Sequence, residues 1–245
     1  MQILKRAYAH AMHGLGSGLH SSGLLKQPEP TLQGDVVRWL HSLFAIYDIE
    51  AMVKLDLPWW TLRATDLVDR FLAGRTAPQV FEYGSGASTV FLAKRAEIVV
   101  SAEHDPHWHA LVTEKVASHA NVLATLVEAP PADADCVHWS RHPAWSGRDF
   151  RDYVHAIDRF AGQFDLIVID GRCRAHCLQA ALRRVKPDGL ILFDNAGRRR
   201  YRAALETCSL TKLKTSSLTA CLPYPDATVL LAPDPKVLQN LVEAG

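Results

Sequence analysis

The chain has 245 residues, a formal net charge of +1, 48% apolar residues and 22% charged residues. This ordinary globular balance excludes global disorder, and it offers no strong field to attract nucleic acid or an anionic membrane. No apolar run reaches the roughly 18 residues of a membrane-spanning helix. The five cysteines are an odd number in a sequence with no secretory signal, so we expect reduced thiols and a cytoplasmic protein.

Residues 1–34 predict a flexible or amphipathic N-terminal arm. Residues 1–12 have the spacing of a short amphipathic helix, and glycines at positions 14, 16, 18 and 23 then indicate a flexible run. The arm could also lie on a membrane surface or contact a second subunit. A loosely ordered arm is favoured because only Lys5 and Arg6 are available to meet lipid headgroups.

Residues 35–77 predict a helical cap. Apolar residues recur at helical spacing from Asp35 to Ile49, and a further helix through residues 65–72 ends at Gly74. Trp59 lies in the turn between them. Packing against the sheet is the more common role for such a tryptophan, and the alternative is that Trp59 forms an aromatic wall of a binding cleft.

From residue 78 onward, expected strands alternate with expected helices, which is typical of a parallel sheet covered on both faces. The strands are predicted at residues 79–83, 98–103, 122–127, 166–169 and 190–193, and the helices at residues 87–93, 106–118, 149–161, 175–184 and 201–208. Residues 212–221 and 228–231 are expected to close the sheet as an antiparallel pair.

A glycine turn follows the first expected strand, at Gly84 and Gly86. A strand, a Gly-x-Gly turn and a helix open a nucleotide-binding α/β unit, in which the ligand lies at the carboxyl end of the strand. Glu82 stands two residues before Gly84, where its carboxylate would repel a pyrophosphate at the helix N-terminus. The pattern therefore favours S-adenosylmethionine, which carries a sulfonium and an ammonium group and no phosphate, over a dinucleotide.

Glu103 ends the second expected strand, 19 residues after Gly84. That spacing is close to the roughly 20 residues expected for an acid that binds ribose hydroxyls. On Glu82, Gly84, Gly86 and Glu103 the sequence resembles the class I S-adenosylmethionine-dependent methyltransferases. Without a ligand, Glu82 and Glu103 would only cap the ends of their strands.

The resemblance implies an α/β fold, a three-layer Rossmann-like methyltransferase sandwich. Its mostly parallel seven-stranded sheet would end in an antiparallel hairpin, and the helical cap would precede it. The resemblance continues at Phe164–Gly171 and Lys186–Asn195 and covers roughly residues 78–232. Residues 78–233 would form the S-adenosylmethionine-binding core, and residues 234–245 a C-terminal tail.

The resemblance also implies which residues contact the cofactor. Glu103 would hold the ribose, the glycine turn would lie behind the methionine end, and Glu82 would orient the ammonium group directly or through water. His104 would border the adenine. The full predicted set of cofactor-binding residues is Glu82, Gly84, Ser85, Gly86, Ser88, Glu103, His104 and Asp170.

Two acids after the fourth and fifth strands, Asp170 and Asp194, are the predicted catalytic residues. Either could withdraw a proton from the acceptor, although Asp170 could instead only cap the following helix. With Asn195 they match the residue types of metal-dependent O-methyltransferases, in which magnesium would lower the pKa of an acceptor hydroxyl. Guanidinium groups at Arg172 and Arg174 would compete with a cation, so a divalent metal such as Mg is possible but not favoured, and no metal ligand is predicted.

Arg172 and Arg174, with the arginines at positions 198–200, would gather positive charge near the same strand ends. Guanidinium groups pair with carboxylate or phosphate, which suggests an anionic acceptor, although a solvated basic loop is equally compatible with the sequence. The predicted substrate-binding residues are Arg172, Arg174, Asn195 and Trp59.

The predicted function is methyl transfer from S-adenosylmethionine to an oxygen or nitrogen of a small, possibly anionic acceptor. One alternative is a non-catalytic S-adenosylmethionine-binding protein. The other is an NAD-dependent oxidoreductase, which is less favoured because Glu82 would repel the pyrophosphate of NAD. We expect no nucleic-acid partner and no transmembrane segment, and a homo-oligomer is possible.

Overall fold

The computed structural model describes residues 2–23 and 34–243. Residue 1 and residues 24–33 of the predicted arm lie outside the described residues, as do residues 244–245 of the predicted tail. Among the described helices, none combines the length and the hydropathy of a transmembrane segment.

The architecture is built on one seven-stranded sheet with the order β3-β2-β1-β4-β5-β7-β6. The first five strands are mutually parallel, and β7 runs antiparallel to both β5 and β6, which confirms the predicted fold class. The strands are β1 Gln79–Tyr83, β2 Ile98–Glu103, β3 Val122–Leu126, β4 Phe164–Ile169, β5 Val185–Phe193, β6 Thr211–Ser217 and β7 Asp226–Ala232.

Helices cover both faces of the sheet and create the three layers. The helices are α1 Gln2–Ser21, α2 Asp35–Leu43, α3 Ile49–Leu55, α4 Leu62–Ala73, α5 Ala87–Ala93, α6 Pro106–Val116, α7 Arg151–Val154, α8 Arg174–Ala181, α9 Arg202–Thr207 and α10 Pro235–Glu243. Alternation along β1 divides its side chains between the layers. Phe81 and Tyr83 pack with residues of α7 and α8, whereas Val80 packs with residues of α4, α5 and α10.

The predicted helix from Asp35 to Ile49 ends early, at Leu43 of α2, and Ile49 begins α3, which was not predicted. Between them the backbone turns at residues 44–48, where Tyr47 adopts a left-handed conformation with φ 59°. Asp48 then starts α3, because its side chain accepts a hydrogen bond from the Ala51 N–H at 3.0 Å. The predicted helix over residues 149–161 is also divided, into α7 and a 3-10 turn at Ala156–Arg159.

Helix α1 continues through three of the four glycines that were expected to form a flexible run, at positions 14, 16 and 18, and ends before Gly23. Gly16 is buried, and a Cβ atom added there would lie 2.7 Å from Cβ of Phe44. The glycine therefore allows α1 to approach the residue that follows α2. A ring nitrogen of His13 lies 2.8 Å from the Ile46 carbonyl oxygen and adds a polar contact to this packing.

Candidate functional site

A cavity of about 470 Å³ opens at the carboxyl ends of β1, β2, β4 and β5. Its walls come from the glycine turn, the residues that follow each of these strands, the α2–α3 turn and the chain between β6 and β7. Eleven predicted site residues line it: Trp59, Gly84, Ser85, Gly86, Ser88, Glu103, His104, Asp170, Arg172, Asp194 and Asn195. Two others, Glu82 and Arg174, do not.

The glycine turn brings the ends of β1 and β4 into close contact. Gly84 has φ 91°, and a Cβ atom there would lie 2.6 Å from Cα of Gly171. The Asp170 N–H donates to the Tyr83 carbonyl at 3.0 Å, so the turn and the segment after β4 hold each other in place. At Gly86, a Cβ atom would lie 3.1 Å from the ring of Trp59. Neither position therefore leaves room for a side chain, and the backbone of the turn itself borders the cavity.

Glu82 lies behind the turn, on the same face of β1 as Val80. Its carboxylate is fully buried and accepts hydrogen bonds from the hydroxyls of Ser88, Thr89 and Ser101 at 2.5–2.6 Å. Burial raises the pKa of Glu82 to about 7, although the three hydroxyl donors oppose this shift. The carboxylate therefore connects β2 and the first turn of α5, instead of facing the cavity as the sequence led us to expect.

Glu103 presents its carboxylate to the cavity. One oxygen accepts from the Ser85 N–H at 3.1 Å, and the other accepts from the N–H groups of His104 and Asp105 at 2.7 and 2.9 Å. Burial opposes ionisation, but the His104 side chain and these backbone donors outweigh it and lower the pKa of Glu103. The result is a negative charge fixed at the end of β2.

Aromatic side chains border this charged wall. The His104 ring lies 4.5 Å from the ring of Trp145, measured between centroids, and Trp108 donates from Nε1 to the Ser85 carbonyl at 2.7 Å. The centroids of Trp59 and Trp108 are 6.0 Å apart. The sequence prediction did not assign Trp108 to the site, although Trp108 lies only five residues after Glu103 in the sequence.

Asp170 and Asp194 are joined by Arg174. Its guanidinium donates to Oδ1 of Asp170 at 2.6 Å and lies 3.4 Å from Oδ2 of Asp194. It also donates to the carbonyl oxygens of both aspartates at 2.5 Å. Trp60 donates to the other oxygen of Asp170 at 3.2 Å, and Thr228 donates to Asp194 at 2.9 Å. Arg174 is therefore occupied by the two acids, which explains why it does not line the cavity.

Burial is the main reason that the pKa of each aspartate is raised, in Asp194 to about 7. The charge of Glu82 adds to the upward shift of the pKa of Asp170, and the charge of Asp170 adds to that of Asp194, whereas Arg174 opposes both shifts. Two carboxylates and one guanidinium leave a single negative charge in a poorly hydrated site, so one proton is readily gained or lost near neutral pH.

This arrangement does not fit a divalent ion. The guanidinium of Arg174 bonds the two carboxylates that would have to supply ligand oxygens. The third member of the expected set, Asn195, donates through Nδ2 to Asp226 at 2.9 Å. Within residues 2–23 and 34–243, no group of three or more histidine, cysteine, aspartate or glutamate side chains is placed to hold a metal.

Arg198, from the arginines expected near these strand ends, also lines the cavity. The lining residues that were not predicted include Asp105, next to His104, and, from more distant parts of the chain, Ile46, Tyr47 and residues 220–222. Trp59 donates through Nε1 to Sγ of Cys221 at 3.1 Å and so ties the segment before α4 to the chain between β6 and β7. This part of the cavity is thus assembled by contact between segments more than 100 residues apart.

Comparisons with known proteins find similarity to methyltransferases. Residues 81–196 match the family model of a methyltransferase domain. The O-methyltransferase from Bacillus cereus in complex with SAH has a TM-score of 0.54 and 14% identity, with coverage of 91% of this chain and 99% of that chain. A methyltransferase-like protein from Silicibacter pomeroyi has a TM-score of 0.48 and 21% identity, covering 74% and 93% of the two chains. No curated protein sequence shows significant similarity.

Proposed function

The chain belongs to the class I S-adenosylmethionine-dependent methyltransferases, and on this premise we propose that it methylates an oxygen or nitrogen of a small anionic acceptor. The observation that carries the proposal is the division of charge within one cavity. Among the described lining residues, the end of β2 contributes the acids Glu103 and Asp105, whereas the arginines Arg172 and Arg198 follow β4 and β5, beside Asp170 and Asp194.

The cavity wall suits S-adenosylmethionine. Its sulfonium and ammonium groups are cationic, and the acids of the wall match them in charge. Glu103 would hold the ribose hydroxyls, because its carboxylate lines the cavity and the oxygen that faces Ser85 accepts only the longer hydrogen bonds, at 3.1 and 3.3 Å. The Gly84–Gly86 turn would hold the methionine end, since both glycines border the cavity without a side chain of their own.

When bound, S-adenosylmethionine supplies an electrophilic methyl group on sulfur, which a lone pair of the acceptor can attack. The protein's own contribution is to hold the acceptor near Asp170 and Asp194, to restrict water and to receive the acceptor's proton. Holding two reactants in a productive geometry can contribute roughly 7–11 kcal/mol to lowering the barrier.

We assign the proton acceptance to the Asp170–Asp194 pair. Asp170 is held by Arg174 and Trp60, and its side chain is 20% exposed, whereas Asp194 is 3% exposed. Protonation of Asp170 changes the charge that Asp194 experiences and the reverse, because both carboxylates bond the same guanidinium, so the pair titrates as a unit. Glu82 is a positioning residue in this scheme, because its carboxylate bonds Ser88 and Thr89 and so holds the first turn of α5 in place.

Isothermal titration with S-adenosylhomocysteine and with NAD tests the cofactor assignment. We expect S-adenosylhomocysteine to bind and NAD not to bind. Glu103→Gln should weaken the binding about tenfold or more, as expected for the loss of a charged hydrogen-bond acceptor. Glu97→Gln is the matched control, because Glu97 is exposed just before the opposite end of the same strand. Binding of NAD alone would overturn the proposal.

Transfer itself is tested with methyl-labelled S-adenosylmethionine and a panel of small phenols and amines, with and without carboxylate or phosphate groups. We expect transfer to anionic members of the panel. Asp194→Asn should remove transfer and retain binding of S-adenosylhomocysteine. A protein that binds the cofactor but methylates none of these compounds would instead support the non-catalytic alternative.

A further inference from the structure

A second cavity, of about 450 Å³, lies beside the first and shares Gly171, Arg172 and Arg198 with it. Its remaining walls are the loop of residues 137–143, the start of α8 and the 3-10 turn that ends at Tyr201. We call it the arginine cavity, because five arginines line it, at positions 141, 172, 174, 198 and 200. No aspartate or glutamate is among its described lining residues.

Most of this positive charge is not neutralised by the protein. Arg174 is paired with Asp170 and Asp194. Within the described part of the chain, Arg141, Arg172, Arg198 and Arg200 form no ion pair with an acid. Charged groups that lie together without counterions repel one another, so an anion that enters the cavity relieves this repulsion.

Contacts with neutral groups hold two of these arginines. The guanidinium carbon of Arg141 lies 5.4 Å from the ring centroid of Trp139, and that of Arg200 lies 4.8 Å from the ring centroid of Tyr201. Stacking on an aromatic ring orients a guanidinium and leaves its N–H groups available to an oxyanion.

Arg172 supplies an independent indication at the boundary of the two cavities. Its Nε is shielded from solvent and has no hydrogen-bond partner. Burial and the neighbouring Arg174 lower the pKa of Arg172, which shows that the folded chain gives its charge an unfavourable environment. Leaving a buried charged donor unsatisfied is costly, and an oxyanion at this point would satisfy it.

We propose that the arginine cavity binds a multiply charged oxyanion of the acceptor, while the acceptor's nucleophilic atom lies in the first cavity near Asp170. This assignment rests on the proposed methyl transfer. Four guanidinium groups without acid partners favour a phosphate ester or a polycarboxylate over a single carboxylate, because each further negative charge finds another cation. The shared boundary at Gly171 and Arg172 lets one molecule occupy both cavities.

Titration calorimetry at constant ionic strength tests the site directly, with inorganic phosphate and citrate as probes and chloride as the reference. We expect at least one probe to bind, and the stronger of the two distinguishes a phosphorylated from a polycarboxylate acceptor. Arg200→Gln and Arg141→Gln, which change residues that line the arginine cavity but not the first cavity, should each weaken binding about tenfold through the loss of a charge-assisted hydrogen bond.

Arg199→Gln is the matched control. It removes the same charge next to Arg200 but changes a residue that lines neither of these cavities, so it should bind the probe like the wild type. Equal losses from Arg199→Gln and Arg200→Gln would show a diffuse effect of charge and overturn the site, as would probes that bind no better than chloride.

Titration of S-adenosylhomocysteine into the probe-saturated protein separates this proposal from the proposed function. We expect its affinity to change less than twofold, because the probe should occupy the other cavity. Probe binding that excludes S-adenosylhomocysteine would place the anion in the first cavity and overturn the division between the two. Failure to bind S-adenosylhomocysteine even without the probe would instead overturn the methyltransferase premise and with it the assignment to an acceptor.

Discussion

Replacing Glu82 with glutamine should change how the stability of the protein depends on pH. The substitution keeps the size of the side chain, which is fully buried between β1, β2 and α5. It removes a carboxyl group whose pKa is raised by burial to about 7, from an ordinary value of 4.5. Glutamine can still pair with the hydroxyls of Ser88, Thr89 and Ser101, because hydroxyl groups can rotate to donate or accept.

The direction in which the free energy of unfolding changes with pH follows from how many protons each state binds. Between pH 4.5 and about pH 7 the folded protein retains the Glu82 proton, while the unfolded chain releases it. The folded state then binds more protons than the unfolded state, so the contribution of Glu82 to the free energy of unfolding falls as pH rises. It is largest below pH 4.5 and reaches its lowest level above pH 7. The total loss is about 3 kcal/mol, at about 1.4 kcal/mol for each pH unit between the two pKa values.

Urea denaturation of wild type and Glu82→Gln at pH 4.5, 5.5, 6.5 and 8 measures this contribution. The free energy of unfolding of the wild type, relative to the variant, should fall by about 3 kcal/mol over this range. Glu97→Gln, at an exposed position, is the control and should show no such change relative to the wild type. Parallel curves for wild type and Glu82→Gln, or a relative gain by the wild type at high pH, would refute the reasoning.

Three further predictions concern packing and the buried ion pairs. Gly84→Ala should destabilise the fold by about 2–4 kcal/mol, because its Cβ would meet the Gly171 backbone at 2.6 Å and its φ is 91°. Gly74→Ala is the control, because its Cβ would have its nearest contacts at 3.7 Å, and it should cost less than 1 kcal/mol in the same urea assay. In helix α1, Gly16→Ala should lower the melting temperature, because its Cβ would meet Phe44 at 2.7 Å. Gly14→Ala should raise the melting temperature, because its Cβ has open space and alanine favours the helix. Equal shifts would contradict the packing of α1 against Phe44. Arg174→Gln should cost about 3–5 kcal/mol of unfolding free energy, because it leaves two buried carboxylates without their cation; a loss below 1 kcal/mol would show that the pairs do not stabilise the fold.

The sequence alone was sufficient for the architecture. The alternation of strand-forming and helix-forming segments from residue 78 predicted the parallel sheet and its antiparallel end, and the structure confirms both. It also indicated that Gly84, Glu103, Asp170 and Asp194 would share one edge. That inference needs only the fold class, because the carboxyl ends of parallel strands meet at the same side of a sheet.

Local patterns predicted the helical breaks less well. The glycines of α1 were expected to interrupt a helix, since glycine disfavours helix in an isolated chain. At Gly16 the absence of a side chain instead permits contact with Phe44, and the energy of that packing overrides the local preference. The predicted continuous helix up to Ile49 was wrong in the opposite direction, because a helix was expected where the structure has a break. Tyr47 adopts a left-handed conformation there and Asp48 caps α3, and both are consistent with the packing of α2 and α3.

Only the tertiary structure decided which polar groups face the cavity and which are satisfied elsewhere. Periodicity locates Glu82 at a strand end, yet its partner Ser101 comes from the neighbouring strand, and together with Ser88 and Thr89 it holds the carboxylate behind the turn. Arg174 is likewise directed by Asp194, a residue 20 positions away that follows another strand. Hydrogen-bond partners at this range depend on how strands and helices are placed in space, and no spacing within one segment encodes that placement.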